Sequence, residues 1–273
     1  MSHDSDHEAR LLPRNLVERD WDHAGTLEAY RQSQGEVSRS ADIVRMIHSL
    51  QGSTALDVGA RDGHFSRILA EHFKFVTALD LEKPRVPHPN ITCVSGDVTH
   101  LALADDVFDL VICTEVLEHI YPAQIAAGCS ELTRVSRKYL LIGVPFKQDI
   151  RVGRTTCNVC GAHNPPWGHI NVFDERRLRS LFPAFSFKEV SFVGVNTEST
   201  NALSALLMDL AGNPYGTYGQ EELCIGCGSS LRTAPQRRFT QKLFTKAAFL
   251  ARGITEPLQR ARPNWIHCLM RKL

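Results

Sequence analysis

The sequence lacks a long hydrophobic run, a strong charge of either sign and a secretory leader. No stretch of about 18 consecutive apolar residues occurs, so a transmembrane helix is not predicted. The first residues, MSHDSDHEAR, are polar and lack the apolar core of a secretory signal, which predicts a cytoplasmic protein. The formal net charge is +1, so the overall balance indicates neither a nucleic-acid-binding nor a membrane-binding protein.

The 273 residues show instead a regular alternation of strand-like and helix-like segments. Several strand-like segments are apolar along their whole length, which is typical of parallel strands covered on both faces. The alternation predicts an α/β fold with a doubly wound sheet. The predicted strands are 54–58, 75–80, 91–95, 108–114, 139–145, 187–195 and 264–272, and the predicted helices are 65–73, 123–136, 174–182, 201–212 and 237–251.

Four polar segments fall where predicted parallel strands end, at the edge of an open α/β sheet where ligands bind. A glycine turn that opens a helix permits close approach of a ligand, and an acid at the end of the second strand can hold ribose hydroxyls. Gly59 and Gly63 are present without the third glycine of a dinucleotide-binding motif. The segments are DVGARDG (57–63), ALD (78–80), GDV (96–98) and CTEVLEHI (113–120).

In this order and spacing, the four segments resemble the class I S-adenosylmethionine-dependent methyltransferases, in the branch that modifies small molecules and lipids. The resemblance covers about residues 40–195, with Trp265–Arg271 as the final strand. It implies a seven-stranded, mostly parallel, Rossmann-like sheet with N-terminal helices. It also implies a methyltransferase that uses S-adenosylmethionine as its cofactor.

The resemblance assigns a part of the cofactor to each segment. The first surrounds the methionine end, the second binds the ribose and flanks the adenine, the third contacts the adenine, and the fourth lines the sulfonium end. Arg61 stands where the family pattern prefers a glycine, so no close backbone approach is expected there. Each acid, taken singly, also suits a turn, a helix cap or a strand end. In order, the residues are Asp57, Gly59 and Gly63, then Asp80 and Leu81, then Asp97 and Val98, then Thr114 and Glu115.

Two histidines are candidates for the acceptor side of the site. His169 lies in GHINVF, and in the resembling family this segment lies over the acceptor pocket, which implies a base or a hydrogen-bonding partner. The alternative for His169 is a loop histidine or a group that supports a metal site. His119 lies in EVLEHI, and its alternative is a residue that orders the loop. A base is needed only if the acceptor loses a proton, so a carboxylic acid, a phenol or an amine would fit.

Four of the eight cysteines form two C-x-x-C-G pairs, which are Cys157 with Cys160 and Cys224 with Cys227. Without a secretory leader, metal binding is favoured over disulfides, and two such turns predict a structural four-thiolate zinc site. The site is expected to order a lid over the acceptor pocket, built from 147–168 and 213–232. The alternatives are reduced pairs without metal, disulfides, or His163 in place of one ligand.

A basic amphipathic helix is predicted over residues 237–251. Its first interpretation is a helix with a solvated basic face. The alternatives are contact with an anionic membrane surface or with an RNA backbone. No RNA-binding module is evident and the net charge is near neutral, which disfavours nucleic acid.

Together these patterns predict a zinc-containing methyltransferase that acts on a small molecule, such as a secondary metabolite, a sugar or a lipid. The alternatives are an RNA methyltransferase and a non-catalytic, zinc-stabilised binding module on the same scaffold. Residues 1–50 are interpreted as a tail and helical cap, 51–146 as the cofactor-binding core, and 147–273 as the acceptor-side half with the zinc loops. The acceptor atom and the oligomeric state are left open.

Overall fold

The computed structural model describes residues 31–255 and 259–273, which fall into two compact units. The sheet unit comprises Gln34–Ile150, Pro165–Glu198 and Arg260–Leu273. The cysteine unit comprises Arg151–Asn164 and the described part of Ser199–Gln259. The predicted tail and the first part of the helical cap lie outside the described residues, and the three-part division of the chain stays a prediction.

The sheet unit is built on a seven-stranded sheet with the spatial order β3-β2-β1-β4-β5-β9-β8. Pairing is parallel from β3 to β5, whereas β9 runs antiparallel to both β5 and β8. The predicted doubly wound, mostly parallel α/β fold is therefore confirmed. The strands are β1 (Thr54–Val58), β2 (Phe75–Asp80), β3 (Ile91–Ser95), β4 (Phe108–Thr114), β5 (Ser136–Pro145), β8 (Phe185–Val193) and β9 (Trp265–Lys272).

Helices cover both faces of this sheet and create two hydrophobic cores. The central strand β4 is buried along its whole length, because its residues point alternately into one core and the other. Val111 and Cys113 contribute to the first core, and Leu110 and Ile112 to the second. The helices are α1 (Gln34–Ile47), α2 (His64–His72), α3 (Ile125–Val135) and α4 (Glu175–Leu181).

One strand is longer than its apolar run predicts. β5 begins at Ser136, before the apolar segment, because its first polar side chains have a buried partner. Arg137 and Lys138 both pair with Asp109 of β4, at 2.6 and 3.0 Å. Hydrophobicity alone does not reveal such an ion-paired strand end.

The cysteine unit contains a short hairpin and two packed helices. The hairpin joins β6 (Thr155–Thr156) to β7 (His163–Asn164), and the helices are α5 (Ala202–Leu210) and α6 (Phe239–Thr255). Small side chains allow close helix packing, and the Ser204 hydroxyl donates to the carbonyl oxygen of Ala248 at 2.8 Å. No helix in the described part of the chain is long and apolar enough to cross a membrane.

The outer side of α6 is more apolar than its basic sequence suggests. Phe239, Leu243, Leu250 and Ile254 are half to three-quarters exposed and lie on one side of the helix at 3.6-residue spacing. The predicted contact with a membrane surface through this helix stays a prediction.

Candidate active site and metal centre

The glycine turn after β1 depends on both of its glycines. Gly59 and Gly63 have φ angles of 78° and 76°, in the left-handed region that side chains disfavour. A Cβ atom on Gly59 would lie 2.3 Å from Cγ2 of Val116, and one on Gly63 would lie 2.2 Å from Cγ2 of Val86. The turn is anchored to the next strand, because the N–H of Gly59 donates to the carbonyl oxygen of Leu79 at 2.9 Å.

The backbone conformation at Arg61 shows why the family pattern prefers a glycine at this position. Its φ angle is 47°, in the left-handed region that glycine adopts without strain. For other residues this conformation costs about 1 kcal/mol. Its main-chain N–H donates to Oδ2 of Asp80 at 2.8 Å, while its side chain is exposed. The turn therefore uses the backbone N–H of this residue to hold Asp80, and whether the backbone at Arg61 approaches the cofactor stays a prediction.

Asp80 lies at the end of β2 with both carboxylate oxygens directed by the backbone. Oδ2 accepts the N–H of Arg61, and Oδ1 accepts the N–H of Leu81 at 2.7 Å. Each carboxylate oxygen has a further lone pair, so the group can still accept ribose hydroxyls. The adjacent Leu81 is 73 % exposed, which leaves an apolar side chain available to pack on a planar ring.

Two other predicted cofactor acids have structural partners in the fold. Asp57 is buried and accepts the hydroxyl of Ser66 at 2.6 Å, which ties β1 to α2. Asp97 is exposed, and its Oδ1 accepts both the N–H and the hydroxyl of Thr99 at 2.8 Å, which forms an Asx turn. Val98, which lies between Asp97 and Thr99 in the sequence, is buried. The Asx turn considered for Asp97 is present, whereas Asp57 bonds a side chain within α2 and does not cap that helix. Contacts of both acids with a cofactor stay predictions.

The end of β4 places Thr114 and Glu115 beside the glycine turn. Glu115 has a φ angle of 57°, and its N–H donates to the carbonyl oxygen of Gly143 at 2.9 Å. Burial raises the pKa of its carboxyl, while the Arg39 guanidinium opposes this effect. Oε1 of Glu115 is buried without a hydrogen-bond partner among the described residues.

The two candidate histidines lie against each other. The ring centroids of His119 and His169 are 4.7 Å apart and the rings are nearly perpendicular. Burial lowers the pKa of His169 to about 3, and the neighbouring His119 adds to this effect. Burial also lowers the pKa of His119 to about 4, with a further contribution from the Arg61 guanidinium. Both rings are therefore neutral near pH 7.

The tautomer of His169 is set by a residue that sequence reasoning missed. Its Nδ1 lies 2.6 Å from Oε1 of Gln148. An amide oxygen only accepts hydrogen bonds, so Nδ1 carries the proton and Nε2 keeps a lone pair. His169 is thus held as a neutral ring with one basic nitrogen.

A second missed residue, Asn171, joins the two histidine segments. Its amide donates to the carbonyl oxygens of Leu117 and Ile120, at 3.2 and 2.5 Å. In return, the main-chain N–H groups of Ile170 and Asn171 donate to the carbonyl oxygen of Glu118. Residues about fifty positions apart in the sequence are therefore held together by four hydrogen bonds, which no local pattern predicts.

The carboxyl group of Glu118 is buried close to the two histidines. It is 0 % exposed, and neither carboxylate oxygen has a hydrogen-bond partner within residues 31–255 and 259–273. Burial raises the pKa of its carboxyl well above the ordinary value, and Glu115 adds to the rise. Ligand atoms of Glu118, His119 and His169 lie within 4.8 Å of one another, which is a spacing that could hold a metal ion.

The four paired cysteines converge in the cysteine unit. Sγ of Cys157 lies 3.7 Å from Sγ of Cys227, and Sγ of Cys160 lies 3.6 Å from Sγ of Cys224. Zn–S bonds of about 2.3 Å in a tetrahedron place sulfur atoms about 3.8 Å apart, whereas a disulfide requires about 2.05 Å. The geometry fits a four-thiolate zinc site and excludes disulfides in this state. His163, the alternative ligand, is not part of this cluster of four sulfur atoms, and its Nδ1 lies 3.5 Å from Oδ2 of Asp209.

Both cysteine turns share one backbone conformation. The N–H of Val159 donates to Sγ of Cys157 at 3.4 Å, and the N–H of Gly226 donates to Sγ of Cys224 at 3.4 Å. The glycines that follow the second cysteines, Gly161 and Gly228, have φ angles of 74° and 69°. Amides that point at sulfur stabilise thiolates, so the donor set is suited to zinc without further rearrangement.

Asparagines fasten the two turns to distant segments of the same unit. The N–H of Ile225 donates to Oδ1 of Asn164, and Nδ2 of Asn158 donates to the carbonyl oxygen of Thr233, both at 2.8 Å. The thiol cluster is thus positioned by protein contacts as well as by the chelating residues themselves.

Comparison with known proteins places the glycine turn inside a recognised domain. Residues 56–139 match the family described as "Methyltransferase domain". The chain is 26 % identical over 118 residues to a probable S-adenosylmethionine-dependent methyltransferase from Mycolicibacterium smegmatis, covering 41 % of this chain and 46 % of that protein. It is 35 % identical over 91 residues to a demethylmenaquinone methyltransferase from Beutenbergia cavernae, covering 32 % and 37 %. The chain spans less than half the length of these curated relatives.

Solved structures share the fold. The N-methyltransferase NodS from Bradyrhizobium japonicum superposes with a TM-score of 0.51 at 15 % sequence identity, covering 89 % of this chain and 98 % of that chain. At this identity the likeness establishes the Rossmann-like methyltransferase fold and nothing finer about the reaction.

Proposed function

We propose that this chain, which carries a class I S-adenosylmethionine-dependent methyltransferase domain, transfers a methyl group to a small-molecule acceptor. The observation that carries the proposal is the edge of the sheet at which the glycine turn, Asp80 and the β4 end meet. Ligands of open α/β sheets bind at this edge. The matched domain over residues 56–139 includes all three features.

The residues present suit the cofactor. Asp80 would hold the ribose hydroxyls and Leu81 would pack on the adenine, while Gly59 and Gly63 keep the turn clear of side chains. Asp57, Asp97, Val98, Thr114 and Glu115 would line the remaining positions. S-adenosylmethionine supplies an activated methyl group on a sulfonium, so the protein has mainly to position the acceptor and exclude water.

A small acceptor is favoured over a macromolecule by the relatives and by the charge. One relative is a demethylmenaquinone methyltransferase, so an aromatic or lipid-like acceptor is the first class to test. The net charge of +1 gives no support for an RNA acceptor.

On the acceptor side, His169 would take or hold the acceptor proton through Nε2. Gln148 fixes its tautomer and Asn171 fixes its segment. His119 packs on the same ring and keeps it oriented. A neutral, buried ring with one unprotonated nitrogen is the form that a proton acceptor requires.

Replacing His169 by glutamine should lower kcat roughly 100-fold while cofactor affinity stays within about threefold, because a positioned base contributes in this range. Burial lowers the pKa of His169 to about 3, so the wild-type ring stays unprotonated at neutral and mildly acidic pH. The wild-type rate should therefore show no loss through the usual histidine range near about 6.5. Steady-state kinetics across pH, with acceptors from the quinol class, measure both effects.

His88→Gln, which changes an exposed histidine, provides the matched control and should leave kcat unchanged. A His169→Gln protein with wild-type kcat, or a wild-type rate that titrates near 6.5, would rule out this role for His169.

We further propose that zinc occupies the four-cysteine site and that its role is structural. Four thiolates leave no open coordination position, so the metal would order the loops rather than bind substrate. The segment 151–164 leads directly into Pro165 and the His169 segment, which supports an effect on the acceptor side through chain connectivity. The predicted lid over the acceptor pocket remains part of this proposal.

A further inference from the structure

Glu118 has a buried carboxyl group that its surroundings do not satisfy. An ionised carboxylate at 0 % exposure without donors carries a large desolvation cost, and a protonated one still leaves its donor and acceptor unpaired. The Arg39 guanidinium lowers the pKa of Glu118, but it is itself bonded to both oxygens of Glu36 at 2.8 Å. Neither protonation state of Glu118 is therefore compensated by the described residues.

Two neutral imidazoles face this carboxyl. One ligand atom from each of Glu118, His119 and His169 falls within 4.8 Å of the other two. Because Nδ1 of His169 is committed to Gln148, its other nitrogen is left with the lone pair that a cation requires. A histidine ligand whose other nitrogen is fixed by an amide or carboxylate oxygen is the usual arrangement at metal sites.

The backbone around the three side chains is held firmly in place. Glu118 and His119 belong to one short turn, and Asn171 fastens that turn to the segment that carries His169. A cation site needs this rigidity because its ligands must meet at fixed distances.

We propose that Glu118, His119 and His169 bind one divalent cation, which directly orders an oxygen atom of the acceptor. Two histidines and one carboxylate are a known ligand set for divalent metals that keep open coordination positions. The cation compensates the Glu118 carboxylate, whose buried environment is otherwise unexplained.

The role of this cation in the reaction rests on the proposed function, whereas its binding does not. A hydroxyl group coordinated to a divalent cation is acidified and loses its proton to water, which leaves an oxygen nucleophile. The acceptor class is then a phenol, catechol or other hydroxyl compound rather than an amine. When the cation is bound, Nε2 of His169 is a ligand and the acidified hydroxyl loses its proton to water; without the cation, Nε2 is the proton acceptor described above.

The test is a titration of the full-length protein with Mn²⁺, followed by electron paramagnetic resonance, in the absence of acceptor and cofactor. Mn²⁺ is a hard cation and does not compete for four soft thiolates, so the cysteine cluster does not contribute. The wild-type protein should bind about one Mn²⁺ per chain, and Glu118→Gln should weaken this binding roughly 100-fold. Glu71→Gln, which alters an exposed carboxylate on α2, should leave the affinity unchanged.

His169→Gln is the second variant and should weaken Mn²⁺ binding to a similar degree, so the test survives a folding defect in either variant. Thermal unfolding gives an independent readout, because Mn²⁺ should raise the Tm of the wild-type protein and not that of Glu118→Gln. Absence of Mn²⁺ binding at millimolar concentration, or binding that persists in both variants, would overturn the proposal. Cofactor binding by the same samples is unaffected by that outcome, so failure of this site is distinct from failure of the proposed function.

Discussion

Cys224→Ser should abolish zinc binding and unfold the two cysteine turns. Structural zinc sites contribute on the order of 10 kcal/mol to small folds, which exceeds any other single contact in this unit. The hydrophobic cluster around the site is small and consists of Cys157, Cys224 and Leu231 with the partly buried Ala162. Without the metal, little buried apolar surface remains to hold the two cysteine turns together.

Metal analysis and limited proteolysis measure this effect. The wild-type protein should contain about one zinc per chain and resist cleavage in 151–164 and 213–232, whereas the variant should lose the zinc and be cut there. Cys93→Ser changes a half-buried thiol outside the cluster and should behave like wild type. Zinc-free protein that still protects both segments would show that protein contacts alone order the unit.

Gly59→Val should reduce cofactor affinity by roughly 100-fold or more. Valine is strained at a φ angle of 78°, and its Cβ would overlap Cγ2 of Val116 at 2.3 Å. The turn must therefore move, and the N–H bond from Gly59 to Leu79 moves with it. A shift of two or three kcal/mol corresponds to about a 100-fold change in Kd.

Arg61→Gly is the matched control in the same turn. The N–H that donates to Asp80 is retained, the positive φ angle suits glycine, and the side chain of Arg61 is exposed. Cofactor affinity should change less than about threefold, with the Tm almost unchanged. Loss of binding in Arg61→Gly, or normal binding in Gly59→Val, would show that the turn works differently.

The strands β1, β2 and β4 could be predicted from sequence because each contains several buried apolar residues within a short segment. For β1, β2, β3 and β4 the predicted and observed limits coincide. The N-cap of α4 is Asp174, which accepts the N–H of Arg177 at 2.8 Å and marks the predicted start of this helix at 174. These features depend on local periodicity and capping, which the sequence contains directly.

The acceptor side was predicted only in part. His119 and His169 could be singled out as chemically suited residues, and they do meet in the fold. Glu118, Gln148 and Asn171 gave no signal, because their roles arise from a long-range contact between two loops. The positive φ angle of Arg61 was likewise invisible, since it reflects the shape of the turn and not the preference of arginine.

The carboxyl edge of the sheet should bind S-adenosylmethionine through Asp80. Isothermal titration calorimetry with S-adenosylhomocysteine, on wild type and on Asp80→Asn, measures this binding. Wild type should bind at one site per chain and Asp80→Asn roughly 100-fold more weakly, because one accepting oxygen becomes an NH2 group and the other loses its negative charge. Glu82→Gln, two residues along, should bind as wild type does. No binding by the wild-type protein would support a non-catalytic scaffold, and binding that Asp80→Asn leaves unchanged would contradict the site described for the cofactor.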